Sequence, residues 1–243
     1  MNVGFTFNGV HSSTYGLTGS PSIPLLPERR RSTIEIPGRD GTFDFQNDSY
    51  APRIIMVQCL AKAATASELR TALAGAAVWL SGSGYLVFDH APTRRWQAKV
   101  YAGIDLLRAP IAGQFTIAFE AQPYAEDTDA VTDTIGTAKD YGSQVLFYPV
   151  ITITKGATTA LAMQLTLAST SETILIADSI PEGTVIVIDM AAGKVTKNGV
   201  ACMDKVNISS LFFGIPPGTQ TINLTTTGAY SASMAYHRRY LYA

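Results

Sequence analysis

Acid–base or nucleophilic chemistry in this 243-residue sequence would have to start from His11, His90 and His237, its only histidines. None has the neighbours such chemistry needs. His90 follows Asp89 in an expected hairpin turn, and His11 and His237 stand beside Ser12 and Arg238 near the two ends of the sequence. Structural or solvent-facing roles are expected for all three. There is no Gly-x-Ser-x-Gly elbow to hold a nucleophile and no His-Glu-x-x-His pair to hold zinc. Asp127, Asp129 and Asp133 lack the glycine and closing glutamate of a calcium loop. Ala191-Ala-Gly193-Lys194-Val195 lacks the upstream glycine and the hydroxyl after lysine that a phosphate loop requires, and reads as a hairpin turn. Nineteen Asp and Glu offer many carboxylate pairs for glycoside hydrolysis, and spacing selects none. No catalytic residue, cofactor or metal is assigned. Cys59 and Cys202 show no metal or redox spacing and read as reduced, buried thiols.

Recognition chemistry has more material. Arg29-Arg30-Arg31 can pair with acids of a neighbouring subunit or touch phosphates. Phe212, Phe213, Tyr230 and Tyr236 are candidate faces for a sugar ring, although aromatics at such positions more often fill a core. Trp79, near the end of the expected helix, reads as core rather than as a ligand platform. Asn47, Asn207 and Asn223 match the glycosylation pattern, but Met1 to Val10 lacks the cationic start and apolar run of a secretion signal. Eighteen Lys and Arg against nineteen Asp and Glu leave a net charge of -1, so the chain has no overall attraction for nucleic acid or an anionic membrane.

These side chains must be carried mainly by strands. Only 15% of residues are charged, against about 25% in an ordinary domain. Thr, Val and Ile number 60, and such β-branched residues suit pleated surfaces. Val3, Phe5 and Phe7 alternate up to Asn8-Gly9, a hairpin signal. Pro21 to Pro27 reads as an arm or long loop, because three prolines remove ladder donors. Ile34 and Ile36 alternate into the turn Pro37-Gly38-Arg39-Asp40-Gly41, and Phe43 and Phe45 leave it. One helix is expected: Thr65-Ala-Ser-Glu68 is a capping box, and Leu69, Leu73, Ala76 and Leu80 share a face. Tyr85 to Asp89 and Arg94 to Tyr101 form a further hairpin, and Phe115 to Phe119 a last strand. Residues 1–125 therefore make one unit. Residues 126–144, with five carboxylates, read as a solvated linker, and 145–243, with seven expected strands and no helix, as a β-sandwich.

The order of these features resembles the distal tail protein family of long-tailed, non-contractile bacteriophages. The likeness rests on the N-terminal hairpin, the proline-rich arm, the Pro37 to Gly41 turn and Tyr50 ahead of Arg53. It continues through Val78-Trp79-Leu80, Tyr85-Leu-Val-Phe-Asp89 and Gln122-Pro123-Tyr124. Val185-Ile-Val-Ile-Asp189, Val195-Thr-Lys-Asn-Gly199, Leu211 through Pro216-Pro217-Gly218 and Tyr236-His-Arg-Arg-Tyr240 are similar to that family's galectin-like C-terminal module. The resemblance implies a mainly β protein: a sandwich or barrel-like N-terminal domain with one packing helix, followed by a galectin-like sandwich. It implies a structural virion subunit, made in the host cytoplasm and placed at the distal end of the tail. That subunit forms a homohexameric ring, single or stacked, whose lumen passes DNA. The implied partners are the tail tube protein, tail-tip proteins and receptor-binding proteins, with no membrane and no sequence-specific nucleic-acid contact. Arg29, Arg30, Arg31, Gly38, Arg39, Asp40 and Gly41 are then candidate subunit contacts. Arg39 and Asp40 can pair either across their own turn or across the interface. The competing reading is a carbohydrate-binding module or adhesin.

Overall fold

The computed structural model describes residues 4–45 and 49–242; the expectations at Val3 and Asn47 lie outside the described residues. The protein is mainly β with one α-helix, and its chain divides into two units, Met1–Thr128 with Leu241–Ala243, and Asp129–Tyr240.

In the first unit, β1 (Phe5–Phe7) turns through Asn8 and Gly9, both at positive φ (48° and 80°), into β2 (Val10–His11). The Asn-Gly pair thus makes the tight hairpin its sequence encodes. β3 (Leu17–Ser22) includes Pro21, part of the stretch expected as an arm or long loop. It lies at the end of its sheet, where a missing ladder donor faces outward. β4 (Thr33–Glu35) and β5 (Thr42–Asp44) pair only with each other. β6 (Arg53–Lys62) leads to α1 (Ala66–Leu80), which is followed by β7 (Ser83–Phe88), β8 (Arg94–Val100), β9 (Leu107–Arg108), β10 (Ala112–Ala121) and β11 (Ala125–Asp127). The antiparallel sheet runs β2-β1-β7-β8-β10-β6-β3.

β6 and β10 pair over ten residues each, with Ile55, Val57, Cys59, Phe115, Ile117 and Phe119 turned inward and buried. α1 starts as predicted, with Thr65 Oγ1 accepting from Glu68 N and the Glu68 carboxylate accepting from Thr65 N. It closes over the inner face through Leu69, Ala76, Trp79 and Leu80. Leu73, expected beside them, is only half buried. Trp79 stacks on Phe5 at 5.6 Å, and its indole N–H donates to Phe7 O at 2.8 Å, so the ring is both apolar filler and satisfied donor.

The second unit is a two-sheet sandwich. β12 (Val131–Thr134) and β13 (Lys139–Asp140) precede β14 (Val150–Lys155), β15 (Met163–Leu167), β16 (Thr173–Ile176), β17 (Val185–Asp189), β18 (Lys194–Lys197) and β19 (Val200–Ala201). β20 (Thr219–Gln220), β21 (Ile222–Thr226) and β22 (Tyr230–Tyr236) follow. One sheet runs β12-β22-β14-β17-β18-β19, the other β16-β15-β21. Alternation along β14 and β17 puts Ile151, Ile153, Ile186 and Ile188 inside, against Met163, Leu165 and Ile222. Each such side chain contributes about 1.5–3 kcal/mol by leaving water. Lys155, the last inward residue of β14, is also buried, and its ammonium donates to the carbonyls of Ala157 and Ala229 at 3.2 and 2.9 Å.

The segment 126–144 is not a solvated linker. It carries β11, β12 and β13, and three of its five acids meet cations: Asp127 pairs with Arg94 and Glu126 with Arg95 across strands in the first unit, and Asp133 with Lys139 in the second.

Candidate assembly surface

Two extended segments, 28–30 and 49–51, form the root of an arm. Arg30 N donates to Ser49 O at 2.9 Å and Ala51 N to Glu28 O at 2.8 Å, and Arg29 bridges Tyr50 with its guanidinium 5.7 Å from the ring centroid. Beyond this root the β4–β5 hairpin stands in solvent. Ile34 is opposite Phe43, and the period-two alternation puts Ile36 and Phe45 on the same face as that pair. All four are exposed, from 43% at Phe43 to 60% at Phe45. An isolated two-stranded hairpin is marginal in water, and this one presents a one-sided apolar strip to it. Its tip is the Gly-Arg-Asp-Gly turn: Gly38 and Gly41 take φ of 83° and 81°, which side chains resist, and Arg39 lies 6.0 Å over the Phe43 ring. Arg30, Arg31, Arg39 and Asp40 are all exposed. The structure thus places all seven expected contact residues on one projecting element.

Sequence reasoning missed what holds the arm. Arg53, only 2% exposed, donates from Nη1 to Pro24 O at 2.7 Å and from Nη2 to Pro123 O at 3.1 Å and to Leu241 O. One guanidinium therefore ties the start of the arm, the end of β10 and the returning C-terminal residues. Burial pulls its pKa below the ordinary arginine value. A crevice of about 620 Å³, lined by Leu26, Pro27, Arg29, Arg31 and Tyr50, lies beside this clamp. Three carbonyl acceptors carry no sequence signal, so no pattern flags the position.

A second surface is the outer face of β3, β6 and β10. Leu60 sits between Thr18 and Gln114, Gln58 between Ser20 and Thr116, and Met56 between Ser22 and Ala118. This three-by-three grid carries no charge. Lys62 bounds it at one end of β6, and the Lys99–Glu120 ion pair, 2.9 Å, bounds it at the other.

Chemical candidates do not assemble. His11 does meet an acid and a hydroxyl: its Nε2 lies 3.2 Å from Asp89 Oδ1 and its Nδ1 2.6 Å from Ser13 Oγ. Ser13 N also donates to Nδ1, so the imidazole serves as the N-cap of the short turn Ser12–Tyr15. Its 78-residue separation from Asp89 hid the pairing from sequence reading. The candidate sugar aromatics do not share a surface. Phe213 and Tyr236 are core residues, 1% and 3% exposed, and Tyr236 stacks on Phe147 at 4.7 Å while its hydroxyl donates to Asp133 at 2.8 Å. Phe212 is half buried against the same core, and only Tyr230 is exposed, its hydroxyl donating to Leu224 O. Among the described residues no group of three or more His, Cys, Asp or Glu is placed to hold a metal, and no helix is long and apolar enough to cross a membrane.

Comparison with known proteins reaches both units. Residues 10–121 match the phage tail protein RIFT-related domain family, and residues 142–240 match the siphovirus-type tail component, C-terminal domain family. The fold is similar to the crystal structure of the Dit protein (gp 19.1) of phage SPP1, described as a paradigm of hub adsorption apparatus in Gram-positive infecting phages. That likeness has a TM-score of 0.80 at 17% identity, over 98% of this chain and 99% of that one. A weaker likeness, TM-score 0.52 at 9% identity over 99% of each chain, is to the baseplate of phage p2 in its activated conformation with strontium. No curated protein matches the sequence.

Proposed function

The chain belongs to the phage distal tail protein family, and from that premise we propose that it is a structural subunit of the tail tip whose first unit closes into a homohexameric ring and whose second unit projects from it. The ring joins the tail tube to tail-tip and receptor-binding proteins in the virion and lets DNA pass. Observation and chemistry converge on the arm. Among the described residues its apolar strip is exposed to solvent, and a ring covers every copy's arm with the next copy, leaving no open end. Exposed sheet edges are otherwise an aggregation hazard.

Light scattering tests the reading. The purified chain is expected at the mass of a closed hexamer or a stacked pair, and a monomer at micromolar concentration would sink it. Ile34→Ser with Phe43→Ser should return the oligomer to monomer without unfolding it. Arg39→Ala with Asp40→Ala should weaken the ring less, since exposed charges set register more than affinity.

A further inference from the structure

We infer that the apolar strip of the arm docks into a groove between α1 and the segment 101–111 of a second copy of this chain. The inference rests on the ring reading above and names the surface of the next subunit that receives the arm. The groove, about 190 Å³, is walled by Leu73, Ala77 and Leu80 of α1 on one side and by Ile104 and Leu106 on the other, with Phe115 also lining it. Among the described residues no charged side chain lines it. Water reaches it, because Ala77 is exposed and Leu106 is 40% exposed. Val78 and Leu107, each 76% exposed, carry the apolar surface past both walls. One unit therefore leaves two apolar surfaces in solvent, a projecting strip and a recess, and covering each with the other removes both from water.

Size, charge and symmetry select the occupant. An apolar cavity of about 150 Å³ holds a benzene ring, so the groove has room for one phenyl side chain. Phe43 and Phe45 are the phenyl rings of the strip, with centroids 5.2 Å apart. Arg39 lies over Phe43, so a pocket that takes this ring brings the guanidinium to its mouth. An acid stands at the mouth of the groove: Asp105, exposed between Ile104 and Leu106, is the single acid of 101–111. Pairing Arg39 with Asp105 sets the register of the hairpin, while the ring in the groove supplies the affinity. Strip and groove are different parts of one unit, so their union is head-to-tail, the kind of contact that makes a ring when its rotation closes. Two strips meeting face to face would stop at a dimer.

Cross-linking of the full chain tests the docking. Ile36→Cys puts a thiol on the strip and leaves both phenyl rings in place, and Ala74→Cys puts one on an exposed position of α1 beside the groove. The native chain, whose two thiols are buried, is the blank. Treated with a short bismaleimide, the chain carrying both thiols should give covalent species larger than a dimer on a denaturing gel, and neither single variant should. An intact oligomer in which the double variant does not cross-link would overturn the docking and leave the ring standing. Dimers from Ile36→Cys alone would overturn it in favour of strip against strip. A monomer by light scattering would overturn the ring reading and the docking with it, which separates the two failures. In the doubly thiolated chain, Arg39→Glu or Asp105→Arg alone should lower the cross-linked yield several-fold, and the two together should restore it. A combined charge swap no better than either single one would overturn the contact that brings Phe43 to this groove.

Discussion

The carboxyl of Asp133 and the thiol of Cys59 show how single side chains respond to being folded. Burial raises the Asp133 pKa, but hydrogen bonds from Lys139 and Tyr236 outweigh it and hold the group below its ordinary 3.8. The folded state therefore favours the carboxylate. Its contribution is complete above pH about 4 and is lost as pH falls through the lowered folded value. Asp133→Asn should cost about 1–3 kcal/mol near neutrality, and the gap to the native chain should narrow at pH 3. Urea unfolding at both pH values checks this, and an unchanged gap would contradict it. Burial pushes Cys59 from 9.0 up to about 12. The unfolded thiol ionises first, so stability contributed by the neutral thiol is present below pH 9 and falls by about 1.4 kcal/mol per unit toward pH 12. Cys202 is shifted the same way by burial and by Asp178 and Asp204. A chromogenic disulfide reagent at pH 7 should titrate neither thiol until denaturant is added.

At the level of elements, the arm root depends on a buried cation rather than on its own strands. Arg53→Met should leave far-ultraviolet circular dichroism unchanged, cost about 1–3 kcal/mol through three carbonyls left without their donor, and speed proteolytic cleavage within 23–30. Equal cleavage rates would show that the arm is held by other means. Arg53→Lys should rescue only in part, since one ammonium cannot span a fork. Elements whose cause is local were legible in the sequence: the capping box at Thr65 and Glu68, the Asn8-Gly9 turn, and the alternating strands of both units. The acidic stretch after Ala125 misled because its partners, Arg94 and Arg95, lie about thirty residues upstream and meet it only across a sheet. Buried Phe213 and Tyr236 misled because aromatic identity alone does not say which side of a sandwich a residue faces. Seven arm residues were found as candidates because turn glycines and a basic run are readable, whereas Arg53 took its role from backbone oxygens.

For the whole molecule, scarce charge says which force would join subunits in the proposed ring. An assembly held by the apolar strip of the arm should keep its mass when salt is raised well above the physiological range, where exposed ion pairs are screened over a few ångströms. Dissociation at high salt would instead make Arg29 to Arg31 the main contact. The path of the chain also sets an order in time. Arg53 and its acceptor at Leu241 are 188 residues apart, and a ribosome adding roughly 5–20 residues per second leaves an interval of about 10–40 s between them. Throughout that interval the arm root lacks at least one of its three fastenings, and it is completed only after the whole second unit has been synthesised. A stalled nascent chain ending before Leu241 should show it as heightened cleavage near Pro24. In the proposed ring, translation itself then clocks the maturation of the arm, and a subunit becomes competent to join its neighbours only late in its synthesis.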